Sequence, residues 1–404
     1  MTDIVIIGAG PAGLSAAAVC AEHQLKVLVI DEFMKPGGRL LGQLHREKNG
    51  TWWNGWEESA SLTRRAEQSG ADIRLQTSVY HLQSDHQGWN VYTSAGIIKT
   101  PYVLLATGAA EIPVSLPGWT LPGVMTVGAA QVMANVHRVK PGNRGIIIGL
   151  NILSFAIARE LQLCGVEWEA MVLAPNAMLH PLYASPRHAA DLFARTAHLA
   201  PAFWMRAGGK LLSFSWAKTL TVRFFPKSGV NVWGIPVRLR HAATEIIGKE
   251  QVEGVRIVEV DADGAPKPGT ERDIPVDFVC VSGGLYPLAE LAAVAGCPLR
   301  YIPELGGHIP LHNEHLETPL KGLYVAGSIT GIEGAKVAMA QGRVAGLSIA
   351  FHHRKGDRRL QEELLHAVRD VHQTRESAPI QFHPRITEGR KAMKELWNAA
   401  HHNG

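Results

Sequence analysis

The segment Ile4-Val-Ile-Ile7-Gly8-Ala-Gly10-Pro11-Ala12-Gly13 leaves this chain few folds to choose from. A short β-branched run ends in a turn of spaced glycines, an alanine-rich stretch continues to Glu22, and a second apolar run follows from Lys26 to Ile30. The pattern reads as strand, helix, strand. Strands joined in this way need a right-handed crossover and a parallel sheet, which makes the fold α/β. Each glycine has its own reason. Gly8 permits the tight turn, Gly10 lets backbone approach a pyrophosphate, and Gly13 lets the helix pack closely on the strand, while the helix N-terminus offers N–H groups to the anion. Asp31 then closes the second strand, where a carboxylate can accept hydrogen bonds from ribose hydroxyls.

The unit occurs twice. Gly145 to Leu150 is another apolar run, followed by a helical pattern from Ile152 to Cys164 and a strand at Trp168 to Leu173. Here the fingerprint reads Gly149-Leu-Asn151-Ile-Leu-Ser154, so only the first glycine survives, and the second strand ends in Ala174-Pro175 instead of an acid. A side chain at 151 is expected to stand where a pyrophosphate needs bare backbone, which keeps the fold but makes NAD(P) binding doubtful.

At 404 residues the chain exceeds the usual size of one domain. Trp89 to Thr93 and Tyr102 to Ala106 read as strands, and Pro113, Pro117, Pro122 and Gly123 mark a crossing between domains. Phe278 to Val281, Leu323 to Ala326 and a helix from about Gly334 to Phe351 are expected to complete the first domain. The predicted architecture is two Rossmann-like dinucleotide-binding domains: residues 1–110 and 278–351 form the first, 111–277 the degenerate second, and 352–404 a helical tail. The tail carries an apolar stripe at Leu360, Leu364, Val368 and Val371.

A formal charge of +4 with no long basic block argues against a nucleic-acid partner. Cys20, Cys164, Cys280 and Cys297 are too scattered for a disulfide framework or a cluster, and the seven histidines after residue 351 have no ligand spacing, so no metal site is expected. The apolar run Ile4 to Cys20 is broken by glycines and Pro11 and lacks a basic n-region, which excludes a signal peptide or membrane span there. Cytoplasmic location is the expectation.

With Pro36-Gly37-Gly38-Arg39, Leu105-Ala106-Thr107-Gly108, Gly322 to Gly327 and Gly331 to Ala338 added, the chain resembles the pyridine nucleotide-disulfide-oxidoreductase-like flavoproteins. The resemblance implies FAD in the first domain, with candidate contacts at Gly8, Gly10, Pro11, Ala12, Gly13, Asp31, Glu32, Gly38, Arg39, Val79, Ala106, Thr107, Gly108, Gly327, Ser328, Ala335, Lys336 and Val337. Val79 is the position whose backbone meets the adenine, and the last segment approaches the ribityl chain and isoalloxazine. Ser328 stands where the family has an aspartate. No paired CxxC or CxxxxC exists, which excludes thioredoxin, glutathione and lipoamide chemistry.

Leu105 to Pro113, Leu116-Pro-Gly-Trp119 to Thr126, Gly128 to Gln131 and Leu305 to His308 narrow the likeness. They resemble the A or α subunits of opine oxidase, dye-linked proline and hydroxyproline dehydrogenase and hydrogen cyanide synthase, and the related part of sarcosine oxidase. That resemblance implies an FAD-binding subunit partnered by a second, amine-oxidising flavoprotein. Residues 352–404 hold no cysteine, so an iron–sulfur exit for electrons is absent there. Two other functions fit the frame: a self-contained NAD(P)H-dependent flavin or quinone reductase, and a non-catalytic nucleotide-binding scaffold. The stretch Leu192 to Leu212 is a candidate partner surface or a buried helix, and Trp52, Trp53 and Trp56 wall a pocket or simply pack. No residue is assigned a catalytic role.

Overall fold

A computed structural model describes residues 2–47, 50–175, 185, 186, 189, 225, 226, 228–355, 357–378 and 381–402. The Leu192 to Leu212 stretch lies outside the described residues. In chain order the elements used below begin with β1 (Ile4–Ile7), α1 (Pro11–Glu22), β2 (Val27–Ile30), α2 (Gly55–Gln68), β3 (Asp72–Arg74), β4 (Val79–Asp85), β5 (Gly88–Thr93), β6 (Gly96–Thr100) and β7 (Tyr102–Leu105). Next come β8 (Val124–Thr126), α3 (Val127–Asn135), β9 (Arg144–Ile148), α4 (Ile152–Leu163), β10 (Glu167–Leu173), β11 (Ile235–Gly248), β12 (Val252–Glu259), β13 (Arg272–Pro275) and β14 (Phe278–Val281). The chain continues through β15 (Leu323–Val325), α5 (Ala335–His353), α6 (Arg358–Ser377) and α7 (Ile386–His402).

Two compact units result. The first comprises Met1–Gln43, Glu47–Ala110 and Leu285–Gly404, the second Leu44–Arg46 and Glu111–Gly284. In the first, a parallel sheet runs β15-β7-β1-β2-β3, with Ile6 paired to Val29 on one side and Leu104 on the other. All four residues of β1 and of β2 are buried, as expected of parallel strands covered on both faces. Helix α1 is nearly all small residues, and α5 meets it through Gly342 and Gly346. A Cβ at 342 would collide with the carbonyl of Ala12, and one at 346 would sit 2.9 Å from Val19 Cβ. Leu360, Leu364 and Val371 of α6 bury against this layer and Val368 packs partly on it.

In the second unit the sheet runs β8-β14-β9-β10-β11-β12-β13, parallel as far as β11 and antiparallel beyond it. One expectation needs correction. Phe278 to Val281 does not complete the first domain: β14 pairs β9 (Ile146 with Val279) and β8 inside the second sheet. A four-residue apolar run buried on both faces suits any parallel sheet, and its partner is chosen by contacts the run itself does not encode. Phe278 fills the space left by Gly145, whose Cβ would collide with the phenyl ring. The division between the units therefore falls after Gly284, not before Phe278. Among the described residues no helix is long and apolar enough to cross a membrane.

Candidate functional site

The glycine loop between β1 and α1 is shaped by its neighbours at two positions and by none at the third. Gly8 has φ +108°, and a Cβ there would collide with the carbonyl of Ala106; one at Gly13 would collide with the carbonyl of Gly8. Gly10 differs. It has an ordinary extended conformation (φ −78°, ψ −176°), and a Cβ would meet nothing within 4 Å. Nothing inside the protein demands glycine there, so the vacant space lies on the outer side of the loop, where a pyrophosphate would sit. The end of α1 is open in the same way: Gly10 caps it without a side-chain hydrogen bond, and Pro11 at its first position removes one donor that would be orphaned anyway. The amides of Ala12 and Gly13 are left facing outward from the helix end.

The other expected residues assemble around this loop. Asp31 accepts from the Ala9 amide at 2.6 Å and the Phe33 amide at 2.8 Å, tying the end of β2 to the loop. A carboxylate has about four acceptor positions, so ribose hydroxyls can still be taken. Glu32 is exposed beside it. Gly37 donates to the Ala9 carbonyl at 2.7 Å, and Gly38 lies against Gly10, its missing Cβ 3.1 Å from the Gly10 Cα. The Arg39 Nε donates to the Ala109 carbonyl at 3.2 Å. Thr77 donates its amide to the Asp31 carbonyl, which brings Val79 at the start of β4 alongside the end of β2. Ala106 is fixed by its amide on the Ile7 carbonyl, Thr107 by its hydroxyl on the Leu288 carbonyl at 2.7 Å, and Gly108 again has open space where a Cβ would be.

The C-terminal segment returns to the same place. Gly327 packs on α1, with a Cβ placed 2.9 Å from that of Ala12. Its amide donates to Gln341 Oε1 at 2.8 Å, which also accepts from the Thr330 hydroxyl. Ser328 is half-buried in this turn, and its carbonyl accepts from the Gly331 amide. Helix α5 then starts from Gly334 with no side-chain cap and no acid in its first turn. Ala335, Lys336 and Val337 supply its first amides, which have no intrahelical acceptor. The Val337 side chain is buried in the core, and the Lys336 ammonium pairs with Glu47 at 2.6 Å and lies 5.0 Å from the Trp53 ring. Backbone, not side chain, is thus what positions 335 and 337 offer a ligand. Trp53 is buried with Nε1 on Gln43, Trp56 lies under Lys35, and Trp52 is exposed.

One cluster beside this turn was invisible in the sequence. Glu333 accepts from Arg375 Nε at 2.5 Å and from Arg390 Nη2, and Arg390 Nη1 donates to the Thr330 carbonyl at 2.7 Å. Burial alone would raise the Glu333 carboxyl, but Arg390 and Arg375 outweigh it and hold it below the usual range. The tail helices α6 and α7 thereby fix the turn 327–334. No spacing in the chain signals that 333, 375 and 390 meet.

The second loop is built differently. Gly149 repeats the role of Gly8, with φ +115° and no room for a Cβ against the carbonyl of Ser282. Asn151 then caps α4: its side chain accepts from the Ser154 amide at 3.0 Å, the Ser154 hydroxyl accepts from the Asn151 amide at 3.0 Å, and Asn151 Nδ2 donates to Ser282 Oγ at 2.8 Å. The expectation that the 151 side chain stands in ligand space is replaced by another arrangement. The side chain is buried and turned inward, where it and Ser154 occupy amides of the helix end. Farther along α4, Glu160 accepts from Gln131 Nε2 at 2.6 Å, Asn135 Nδ2 and the Leu44 amide, and no cation bonds to it. Burial pushes its carboxyl up to about 7 against the hydrogen bonds from Gln131 and Leu44.

The open loop, the acid at the end of β2 and the uncapped start of α5 fit an FAD, whereas on α4 the reciprocal cap takes the amides of Asn151 and Ser154. Residues 2–184 match the pyridine nucleotide-disulphide oxidoreductase family, and residues 309–357 the family described as glucose inhibited division protein A. The chain is similar to the A subunit of opine oxidase from Agrobacterium tumefaciens (strain Ach5), 30% identical over 362 residues that cover 86% of this chain and 65% of that relative. It is also similar to the HcnB subunit of hydrogen cyanide synthase from Pseudomonas aeruginosa, 25% identical over 354 residues, 85% of this chain and 70% of the other. Among solved structures, L-proline dehydrogenase from P. horikoshii shares the fold with a TM-score of 0.61 at 20% identity, over 90% of this chain and 58% of that one. The chain thus spans about two thirds of the length of the opine oxidase relative it matches.

Proposed function

We propose, from the match of residues 2–184 to the pyridine nucleotide-disulphide oxidoreductase family, that this chain is an FAD-dependent oxidoreductase, the FAD-binding component of a complex that oxidises an amino acid or a secondary amine. The observation that carries the reading is the Gly10 position, bare of protein on its outer side at the uncapped end of α1. Similarity to the opine oxidase and hydrogen cyanide synthase polypeptides, both named as subunits, supports an amine-oxidising flavoprotein as partner. In this reading the first unit holds FAD and the second keeps the nucleotide fold without taking NAD(P). Free cysteines at 20, 164, 280 and 297 suit a reducing compartment such as the cytoplasm.

Bound FAD would supply redox chemistry, taking up the reducing equivalents released when the complex oxidises an amine to an imine that water hydrolyses. The chain supplies the rest. The amides of Ala12 and Gly13 and the dipole of α1 hold the pyrophosphate, and Asp31 takes ribose hydroxyls. The Ser328 hydroxyl stands in for the usual aspartate at the ribityl chain, and the amides of Ala335, Lys336 and Val337 favour negative charge on the ring. Glu333, Arg375 and Arg390 keep the turn that carries these groups in place.

Purification of the chain with and without a candidate partner flavoprotein tests the proposal. One flavin per chain and amine oxidation only in the complex are expected. Full-rate amine oxidation by the chain alone would overturn its placement in a complex, and rapid bleaching of the flavin by NADH would move the chain to the reductases.

A further inference from the structure

The meander of the second unit brings cationic side chains around a buried histidine. His241 on β11 is 2% exposed, and its Nε2 lies 2.9 Å from Nη2 of Arg272 on β13. A guanidinium can only donate, so Nε2 is the acceptor and the proton of the neutral ring is on Nδ1. That buried Nδ1–H has no acceptor among the described residues, and neither has the buried Nε–H of Arg238 on the same strand. Buried N–H groups almost always have a partner, so two unfilled donors in one cluster need a reason.

The charges point the same way. Arg272, Arg238 and Arg240 act on His241 against Glu259, and the Glu169 that faces Arg238 is held by Arg144 at 2.7 Å. Burial, followed by Arg272 and Arg238, pushes His241 down to about 4. The cross-strand neighbours of Arg238 and Arg272 are the buried Val172 and Ile257, while Arg238 itself is half-buried and Arg272 exposed, within reach of a ligand from solvent. Arg256 on β12 shows the structural alternative. It is bracketed by Glu245 at 2.6 Å and Asp273 at 2.9 Å, and each of its three nitrogens donates to a carboxylate.

We propose that Arg238, His241 and Arg272 form a binding site for a dianionic phosphate group, either inorganic phosphate or the monoester of a small metabolite. The two positive charges of Arg238 and Arg272 match a phosphate dianion better than a carboxylate, and their planar guanidinium forks suit its oxygens. The site owes nothing to the end of α4 and does not depend on the FAD assignment.

The test is NMR of the full chain labelled at histidine, with the His241 ring signals assigned by their loss in His241→Asn. Inorganic phosphate, glycerol phosphate and acetate are titrated separately at ionic strength fixed with chloride. A saturable His241 shift with phosphate or glycerol phosphate, absent with acetate, is expected, and tighter saturation by glycerol phosphate would identify a monoester as the ligand. Arg238→Lys, which keeps the charge and removes the fork, should weaken binding by about tenfold, and Arg272→Met should abolish it. No saturable shift, an equal shift with acetate, or an unchanged response in Arg238→Lys would show a solvated charge cluster only and overturn the proposal. Because Arg238→Lys is conservative, that outcome remains readable even if Arg272→Met fails to fold.

Discussion

Two helix ends, those of α1 and α4, stand in the same place in the same kind of unit and are finished in opposite ways. Both follow a buried parallel strand and a glycine at positive φ. On α1 the next key residue is Gly10, with free space beyond it; on α4 it is Asn151, whose side chain closes a reciprocal cap with Ser154 and reaches Ser282. A helix N-terminus is an anion site only while its donors are unspent. The two units therefore share a fold, and on the proposed function their difference in ligand binding comes down to two or three side chains at the helix end.

Gly10→Val should break the open end most severely. The residue has allowed φ and ψ and no neighbour within 4 Å, so the variant should fold and, compared as apoprotein, melt close to the wild type, while FAD affinity falls at least ~100-fold because charge-assisted amide contacts are lost. Flavin per chain after gel filtration, beside a thermal melt, reads both. Asn151→Ala should do the reverse. Loss of the cap and of the Ser282 contacts should cost roughly 2–3 kcal/mol of stability with FAD retained, visible as a lower denaturant midpoint at unchanged flavin content.

Glu160→Gln sharpens the comparison through pH. The folded carboxyl is raised to about 7 from an ordinary value near 4.5, so its protonated form is favoured by folding. The associated stability is fully present below the unfolded value and is lost as pH rises through about 7. Glutamine mimics the protonated form, so the variant should match the wild type near the ordinary carboxyl value and exceed it in stability at pH above about 7, by roughly 1–3 kcal/mol. Melts across pH check the crossing. Lys336→Met should have the smallest effect, because its ion pair with Glu47 is surface-exposed and only its amide faces the proposed ligand: FAD affinity within about threefold of wild type, by fluorescence titration.

Much of the candidate first site was legible because Gly8, Gly10 and Gly13 stand close together between a recognisable strand and helix, although the carbonyl that crowds Gly8 belongs to distant Ala106. Asp31 and the turn at Gly327 followed from spacing and resemblance. What stayed hidden depends on partners far along the chain. β14 could be read as a strand but not assigned to a sheet, since four buried apolar residues do not name their neighbour. Asn151 signalled a lost glycine, yet nothing in the sequence told whether its side chain would fill the ligand space or turn inward to cap. The meeting of Glu333 with Arg375 and Arg390, and of His241 with Arg238 and Arg272, needs the tertiary fold.

Counting nucleotides per chain tests the contrast between the two helix ends most directly. Chain stripped of small molecules is equilibrated in separate dialysis cells with FAD, NADH and NADPH, and bound nucleotide is measured by absorbance. One FAD per chain and no NADH or NADPH is the expected result, with the FAD lost in Gly10→Val. Stoichiometric NADH or NADPH binding, or FAD binding that survives Gly10→Val, would contradict the assignment of an open first end and a closed second one.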